Sequence, residues 1–286
     1  MRDEAERVTI FELAPRDGLQ NEKRPIATAD KIALVDRLSA CGFAKIEVTS
    51  FVPPKWVPQM ADAAEVMAGI ARAPGTRYAA LTPNLRGFEA ATAARVDEIA
   101  IFAAASEGFS KANLNATIAE SFERFATVAR AAKEADIPVR GYVSVVTDCP
   151  YDGPIAPKTV AWVAATLFGM GCYEVSLGDT IGHATPETTD AMLRAVLEVA
   201  EPERLAGHFH DTKGRALENI GVALDRGLRT VDSCVAGLGG CPYAPGAKGN
   251  VATEAVIPFV EARGFSTGLD RAAVAGAAAF ARGLIA

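Results

Sequence analysis

His208 and His210 flank a single phenylalanine and are two of only three histidines in the 286 residues. On a β-strand, residues i and i+2 point to one face. Both imidazoles would then project together, with Phe209 on the opposite side. Two imidazole nitrogens on one face are donors for a divalent ion; the alternative is a pair of histidines making core hydrogen bonds. Asp17, in Ala14-Pro15-Arg16-Asp17-Gly18, and Asn250, farther along, could complete a site. Imidazole, carboxylate and amide oxygen together suit Mg²⁺, Mn²⁺ or another borderline divalent cation. Adjacent residues on extended chain point apart, which puts Asp17 on the metal and Arg16 on a substrate oxygen that gains negative charge. A plain surface ion pair is the other reading of that dipeptide. Glu47 falls on the inward face of a period-two run and needs a partner, for which Arg16 is the nearest candidate. It could be a brace or a proton carrier. Cys241 stands in GLGGCPYAPGAKGN, where glycines and two prolines make a bendable loop with fixed corners. Such a loop can close over a substrate and bring a thiol to it as proton donor or nucleophile; an inert loop thiol is the alternative. His183 has no comparable partner and reads as a loop histidine.

These residues need elements that hold them together, and eight β-rich runs supply the candidates. They centre on residues 8–13, 45–50, 77–82, 97–102, 139–145, 172–177, 204–210 and 229–235, and each is followed by a segment that can hold a helix. A helix, a glycine and a strand recur in that order around Gly42, Gly171 and Gly227. Thr185 and Pro186 mark the start of one helix by a cap and a first-turn proline. Eight βα units without a linker predict an α/β fold, a single (β/α)₈ TIM barrel over 1–286, with a C-terminal helical extension at 271–286. A doubly wound sheet is the competing arrangement. In a barrel, strands one, seven and eight are neighbours, so Asp17, His210 and Asn250 converge at the strand C-termini, where such folds do their chemistry.

Composition narrows the function classes. Twenty-nine basic residues against thirty-five acidic ones give a net charge of −6, and with no basic block the chain is a poor nucleic-acid binder. No apolar run reaches the length of a membrane span. The charged start lacks the apolar stretch of a signal peptide, and five scattered cysteines do not make a disulfide scaffold. A cytoplasmic protein with reduced thiols is expected, Cys41, Cys172 and Cys234 being buried fillers. Neither the dinucleotide-binding fingerprint nor a P-loop is present.

FELAPRDGLQNEK (11–23), IEVTSFVPPKWVPQM (46–60), SLGDTIG (176–182), HFHDTKG (208–214) and VAGLGGCPYAPGAKGN (235–250) together resemble the 3-hydroxy-3-methylglutaryl-CoA lyases, metal-dependent barrel enzymes. The likeness runs from about residue 8 to residue 270. It implies that Asp17, His208, His210 and Asn250 bind the divalent cation and that Arg16 contacts the thioester carbonyl. It further implies that Glu47 supports this centre, that His208 also transfers protons, and that Cys241 is the catalytic loop cysteine. Ser176 and Asp179 match positions just outside the metal, and Asn113 one near the CoA arm; Lys23, Lys111 and Lys248 are candidate cations for the phosphates. The implied reaction is retro-Claisen cleavage of (S)-3-hydroxy-3-methylglutaryl-CoA to acetyl-CoA and acetoacetate, a step of leucine catabolism, by a homodimer. A lyase for a longer-branched 3-hydroxyglutaryl-CoA, a Claisen-condensing synthase and a non-catalytic metal- or CoA-binding protein are the competing readings; a cysteine hydrolase using Cys241 and His208 is another. The chain departs from the family's usual residues at Cys234, at Lys213 and across Asn113–Thr117, and Lys213 could alter acyl or CoA preference.

Overall fold

In the computed structural model, which describes residues 5–240 and 249–286, all eight β-rich runs are strands. They are β1 (Thr9–Glu12), β2 (Lys45–Ser50), β3 (Arg77–Leu81), β4 (Glu98–Ala104), β5 (Val139–Ser144), β6 (Glu174–Asp179), β7 (Leu205–Phe209) and β8 (Thr230–Ser233). Every neighbouring pair is parallel, and β1 bonds to β8 with Thr9 opposite Thr230 and Glu12 opposite Ser233. That pairing closes the sheet into a barrel and excludes the open doubly wound alternative.

Helices α1 (Thr28–Ser39), α2 (Ala63–Gly69), α3 (Leu85–Ala93), α4 (Glu107–Leu114), α5 (Ile118–Glu134), α6 (Pro157–Gly169), α7 (Pro186–Val196), α8 (Ala216–Asp225) and α9 (Thr253–Ala262) alternate with the strands, and α10 (Arg271–Ile285) is the terminal extension. The recurring glycines have a local cause: Gly42, Gly171 and Gly227 turn the chain from helix to strand at φ +89°, +101° and +92°, values that an L side chain resists. Thr185 caps α7 by accepting from the Thr188 amide. Asp270 caps α10, and Arg37 of α1 lies over the Phe280 ring of α10 at 4.5 Å.

The apolar core fills the space between strands and helices, whereas the barrel interior carries buried charge. Arg140 of β5 donates through Nε to Glu174 at 2.7 Å and through both terminal nitrogens to Asp232 at 3.0 and 2.7 Å. Its guanidinium stacks on Phe11 at 4.5 Å and on Tyr142 at 4.9 Å. A charge this deep is tolerated only when every donor is met, and the bidentate Arg140–Asp232 pair meets it.

Candidate active site

Strand β1 runs into a single π-helical turn, Ala14–Gly18, with Pro15 in its first turn. This coiled path corrects the expectation of diverging neighbours. Arg16 and Asp17 face each other, Arg16 Nη1 donating to Asp17 Oδ1 at 2.7 Å, while Arg16 Nε donates to Glu47 Oε2 at 2.5 Å. Glu47 is fully buried, and Tyr142 Oη adds a donor to its Oε1 at 3.3 Å. The turn is fixed from below by Glu12. Its Oε1 accepts from the amides of Ala14 at 3.0 Å and Val235 at 2.9 Å, and its Oε2 accepts from Thr253 Oγ1 at 2.7 Å. Burial pushes the Glu12 carboxyl from an ordinary 4.5 up to about 7, against the pull of those three hydrogen bonds.

The ligand atoms of Asp17, His208 and His210 lie within 4.8 Å of one another. Asn250 joins them: it bridges His210 in a short antiparallel contact, and its Nδ2 donates to Asp17 Oδ2 at 2.7 Å. Two buried polar atoms here, Asn250 Oδ1 and His210 Nδ1, have no hydrogen-bond partner among the described residues. Orphaned buried acceptors are rare because they lose solvation without compensation. A divalent cation would use the Asn250 oxygen, and the mixed nitrogen and oxygen donor set suits Mg²⁺ or Mn²⁺. Burial works against the Asp17 carboxylate, yet Arg16, His208, His210 and the Asn250 hydrogen bond bring it down to about 2. Burial, then the neighbouring His208, lowers His210 to about 4, so its ring is neutral and can ligate. For Arg16, burial opposes the charge, but Glu47 and Asp17 outweigh it and hold the guanidinium firmly protonated.

Close backbone contact sets Asn250 in place. Gly239 has φ +108°, and a Cβ there would stand 2.7 Å from Asn250 Nδ2; a Cβ on Gly249 would strike the Gly239 carbonyl. These loop glycines therefore let two segments pass each other beside the Asp17–His208–His210 cluster. Cys241 and Lys248 lie outside the described residues.

The cluster forms the floor of a cavity of about 660 Å³ at the C-terminal ends of the strands. Arg16, Asp17, Tyr142, His208 and His210 line its base, and Asn113 of α4 and Arg124 of α5 line its wall. Of the lysines suggested for the phosphates, Lys23 and Lys111 are exposed and do not line the cavity, whose wall carries Arg124; Lys213 is exposed as well. Ser176 reaches the site through Asp232, donating to it at 2.7 Å. Asp179 instead takes the backbone amides of His183 and Ala184. His183 is part-exposed and pairs with Asp148 at 2.9 Å. Sequence reasoning missed Tyr142, Arg140, Asp232 and Arg124. Their signal was a polar side chain at an inward strand position, or a cation on a helix facing the strand ends.

A family model described as HMGL-like matches residues 7–280. A Pseudomonas aeruginosa protein named 3-hydroxy-3-isohexenylglutaryl-CoA/hydroxy-methylglutaryl-CoA lyase is 58% identical over 264 residues, covering 92% of this chain and 88% of its own. The crystal structure of the HMG-CoA lyase from Brucella melitensis superposes with TM-score 0.96 at 61% identity, over 98% of this chain and 99% of that one. An Acinetobacter baumannii HMG-CoA lyase in complex with coenzyme A and 3-methylmalate has TM-score 0.93 at 35% identity, over 98% and 91% of the two chains.

Proposed function

Because the chain belongs to the HMGL-like family, we propose that it is a divalent-metal-dependent carbon–carbon lyase that cleaves (S)-3-hydroxy-3-methylglutaryl-CoA to acetyl-CoA and acetoacetate. The observation that carries this reading is the convergence of Asp17, His208 and His210 with the unpartnered Asn250 oxygen, beside a buried, charge-paired Arg16. Asp17, His208, His210 and Asn250 would hold Mg²⁺ or Mn²⁺. Bound there, such an ion would supply Lewis-acid chemistry that lowers the pKa of a coordinated substrate hydroxyl.

The chain's own groups do the rest. His208 or Asp17 accepts the hydroxyl proton. The carbon–carbon bond then breaks, and its electron pair moves into the acetyl thioester as an enolate. Arg16, braced by Glu47, offers a fixed positive charge where that enolate oxygen develops. Cys241 then gives a proton to the acetyl carbon. Asn113 and Arg124 on the cavity wall are the groups we assign to the CoA arm. We take the chain as one catalytic domain, cytoplasmic and homodimeric, the dimer resting on the family resemblance. Among the described residues, no helix is long and apolar enough to cross a membrane.

A coupled assay for acetyl-CoA and acetoacetate, with Mg²⁺ or Mn²⁺ and with EDTA, tests the reading. Turnover should need the ion; release of free CoA without acetoacetate that survives EDTA would point to a cysteine hydrolase, and binding without turnover to a non-catalytic protein. Net condensation of acetyl-CoA with a 2-oxo acid would point to a synthase. One specific observation favours a second substrate: the Pseudomonas aeruginosa relative carries an isohexenyl substrate in its name, and Leu81, Phe102 and Phe109 give the cavity apolar surface. The same assay with a longer-branched 3-hydroxyglutaryl-CoA ranks the two by kcat/KM.

A further inference from the structure

We propose that Asp232 is the positioning residue of the metal centre, accepting a hydrogen bond from His208 Nδ1 and thereby committing Nε2 of that ring to the ion. This rests on the metal-dependent reading above. Asp232 sits on β8 directly opposite His208 on β7, and its Oδ2 lies 3.3 Å from His208 Nδ1. Both residues stand on strands, not on loops, so the contact is fixed by sheet register. Such a scaffold holds a ligand in one orientation better than a loop does.

The surroundings of Asp232 argue that it is an orienting acceptor and not merely half of an ion pair. It is fully buried, Arg140 takes both of its oxygens, and Ser176 Oγ donates to Oδ2 at 2.7 Å. Arg140 and Ser176 thus pin the carboxylate from two sides, and Oδ2, which accepts from both, also faces the imidazole nitrogen as an acceptor. Tyr142 adds a wall, its ring edge-on to His208 with centroids 6.3 Å apart. An ionised carboxylate accepts only. The partner nitrogen must therefore carry the proton, and the other nitrogen keeps its lone pair for a metal, which leaves Asp17, and not His208, to accept the hydroxyl proton. A ligating histidine held through its second nitrogen by a carboxylate is the usual way in which proteins fix tautomer and ring angle. The two histidines differ in this respect. His210 has no such partner for Nδ1 among the described residues, whereas the Nδ1 of His208 faces a carboxylate.

The test needs only three histidine signals. Metal-free protein labelled with ¹⁵N-histidine is studied by NMR above the ordinary imidazole pKa of about 6.5, and Mn²⁺ affinity is measured by calorimetry. Wild type should carry the His208 proton on Nδ1. Asp232→Asn should shift that proton toward Nε2, as loss of an orienting carboxylate does elsewhere, and should weaken Mn²⁺ binding by roughly 10–100-fold. Ser176→Ala, which removes one donor from Asp232 but not its contact with His208, should keep the wild-type tautomer. A wild-type His208 protonated on Nε2 overturns the proposal, and so does an Asp232→Asn protein with unchanged tautomer and affinity. If that variant does not fold, the wild-type tautomer decides alone. A wild type that binds no Mn²⁺ overturns the metal reading together with this inference; one that binds Mn²⁺ with the wrong tautomer overturns only the role of Asp232.

Discussion

Arg16 is held between two carboxylates, Glu47 on its Nε and Asp17 on Nη1. Glutamine in its place can hydrogen-bond either one but neutralises neither. Arg16→Gln should therefore lower kcat by about two or more powers of ten, the scale of losing one preorganised charge at a developing oxyanion; steady-state kinetics would read it, and near-normal turnover would remove the assigned role. Cys241→Ala should bind Mn²⁺ as wild type does and lose cleavage, so calorimetry and the coupled assay together separate chemistry from folding; retained full activity would take the thiol out of the reaction. At this scale much was legible. Arg16, Asp17, His208 and His210 stand where a residue type uncommon in strands meets a strand's C-terminal end, Glu47 stood out as a carboxylate on the inward face of a strand, and Asn250 lay a little beyond the last one. Asp232 and Arg140 were not legible, because a charge within RTVDSCV or VRGYVSV looks like a solvent-facing residue until the partner across the barrel is known. Each charge is paired by a residue at least 34 positions away in sequence, as the Arg140–Glu174 contact shows.

At the scale of elements, Glu12 is a strut between three of them: the turn after β1, the loop after β8 and the start of α9. Its folded pKa of about 7 lies above the ordinary 4.5, so between those values the native chain binds more protons than the unfolded one. Stability is then fully present below about 4.5 and is lost as pH rises through 7, by on the order of 3 kcal/mol. Glu12→Gln should flatten that decline; urea midpoints of both proteins at pH 5 and pH 8 isolate the effect, and parallel declines would show that Glu12 does not cause it. Asp179, pushed up to about 6 by burial against its backbone hydrogen bonds, contributes with the same sign to both proteins. The glycine crossing gives a second prediction. Gly239→Ala meets both a left-handed backbone and the Asn250 amide, and should cost about 1–3 kcal/mol while weakening Mn²⁺ binding. A variant with wild-type affinity would show that the loop absorbs the methyl without moving Asn250. Elements themselves were well read from sequence, since a helical apolar spacing, a stop glycine and a β-rich run are local signals. The π-helical turn at Ala14–Gly18 was not, because tertiary anchoring by Glu12 selects it and local propensity does not.

For the whole molecule, a cation held by the proposed four ligands would act as a ligand that binds only the closed barrel. Adding Mn²⁺ to about 100 times its Kd should stabilise the fold by about 2.7 kcal/mol, which for a chain of this size raises the thermal midpoint by roughly 4–5 °C. A midpoint indifferent to Mn²⁺ would count against the four-ligand site.

The β1–β8 seam gives the site a history as well as a shape. Asp17 and Asn250 touch across 233 positions of sequence. At a synthesis rate of about 5–20 residues per second, roughly 10–50 s separate their appearance on the ribosome. During that interval Asp17 has no histidine and no amide beside it, and His208 and His210 emerge only near the end. The ion cannot guide the early strands into register. A cation held by all four residues could be captured only by a chain that is nearly complete, so the early strands must find their register on hydrogen bonds and core alone.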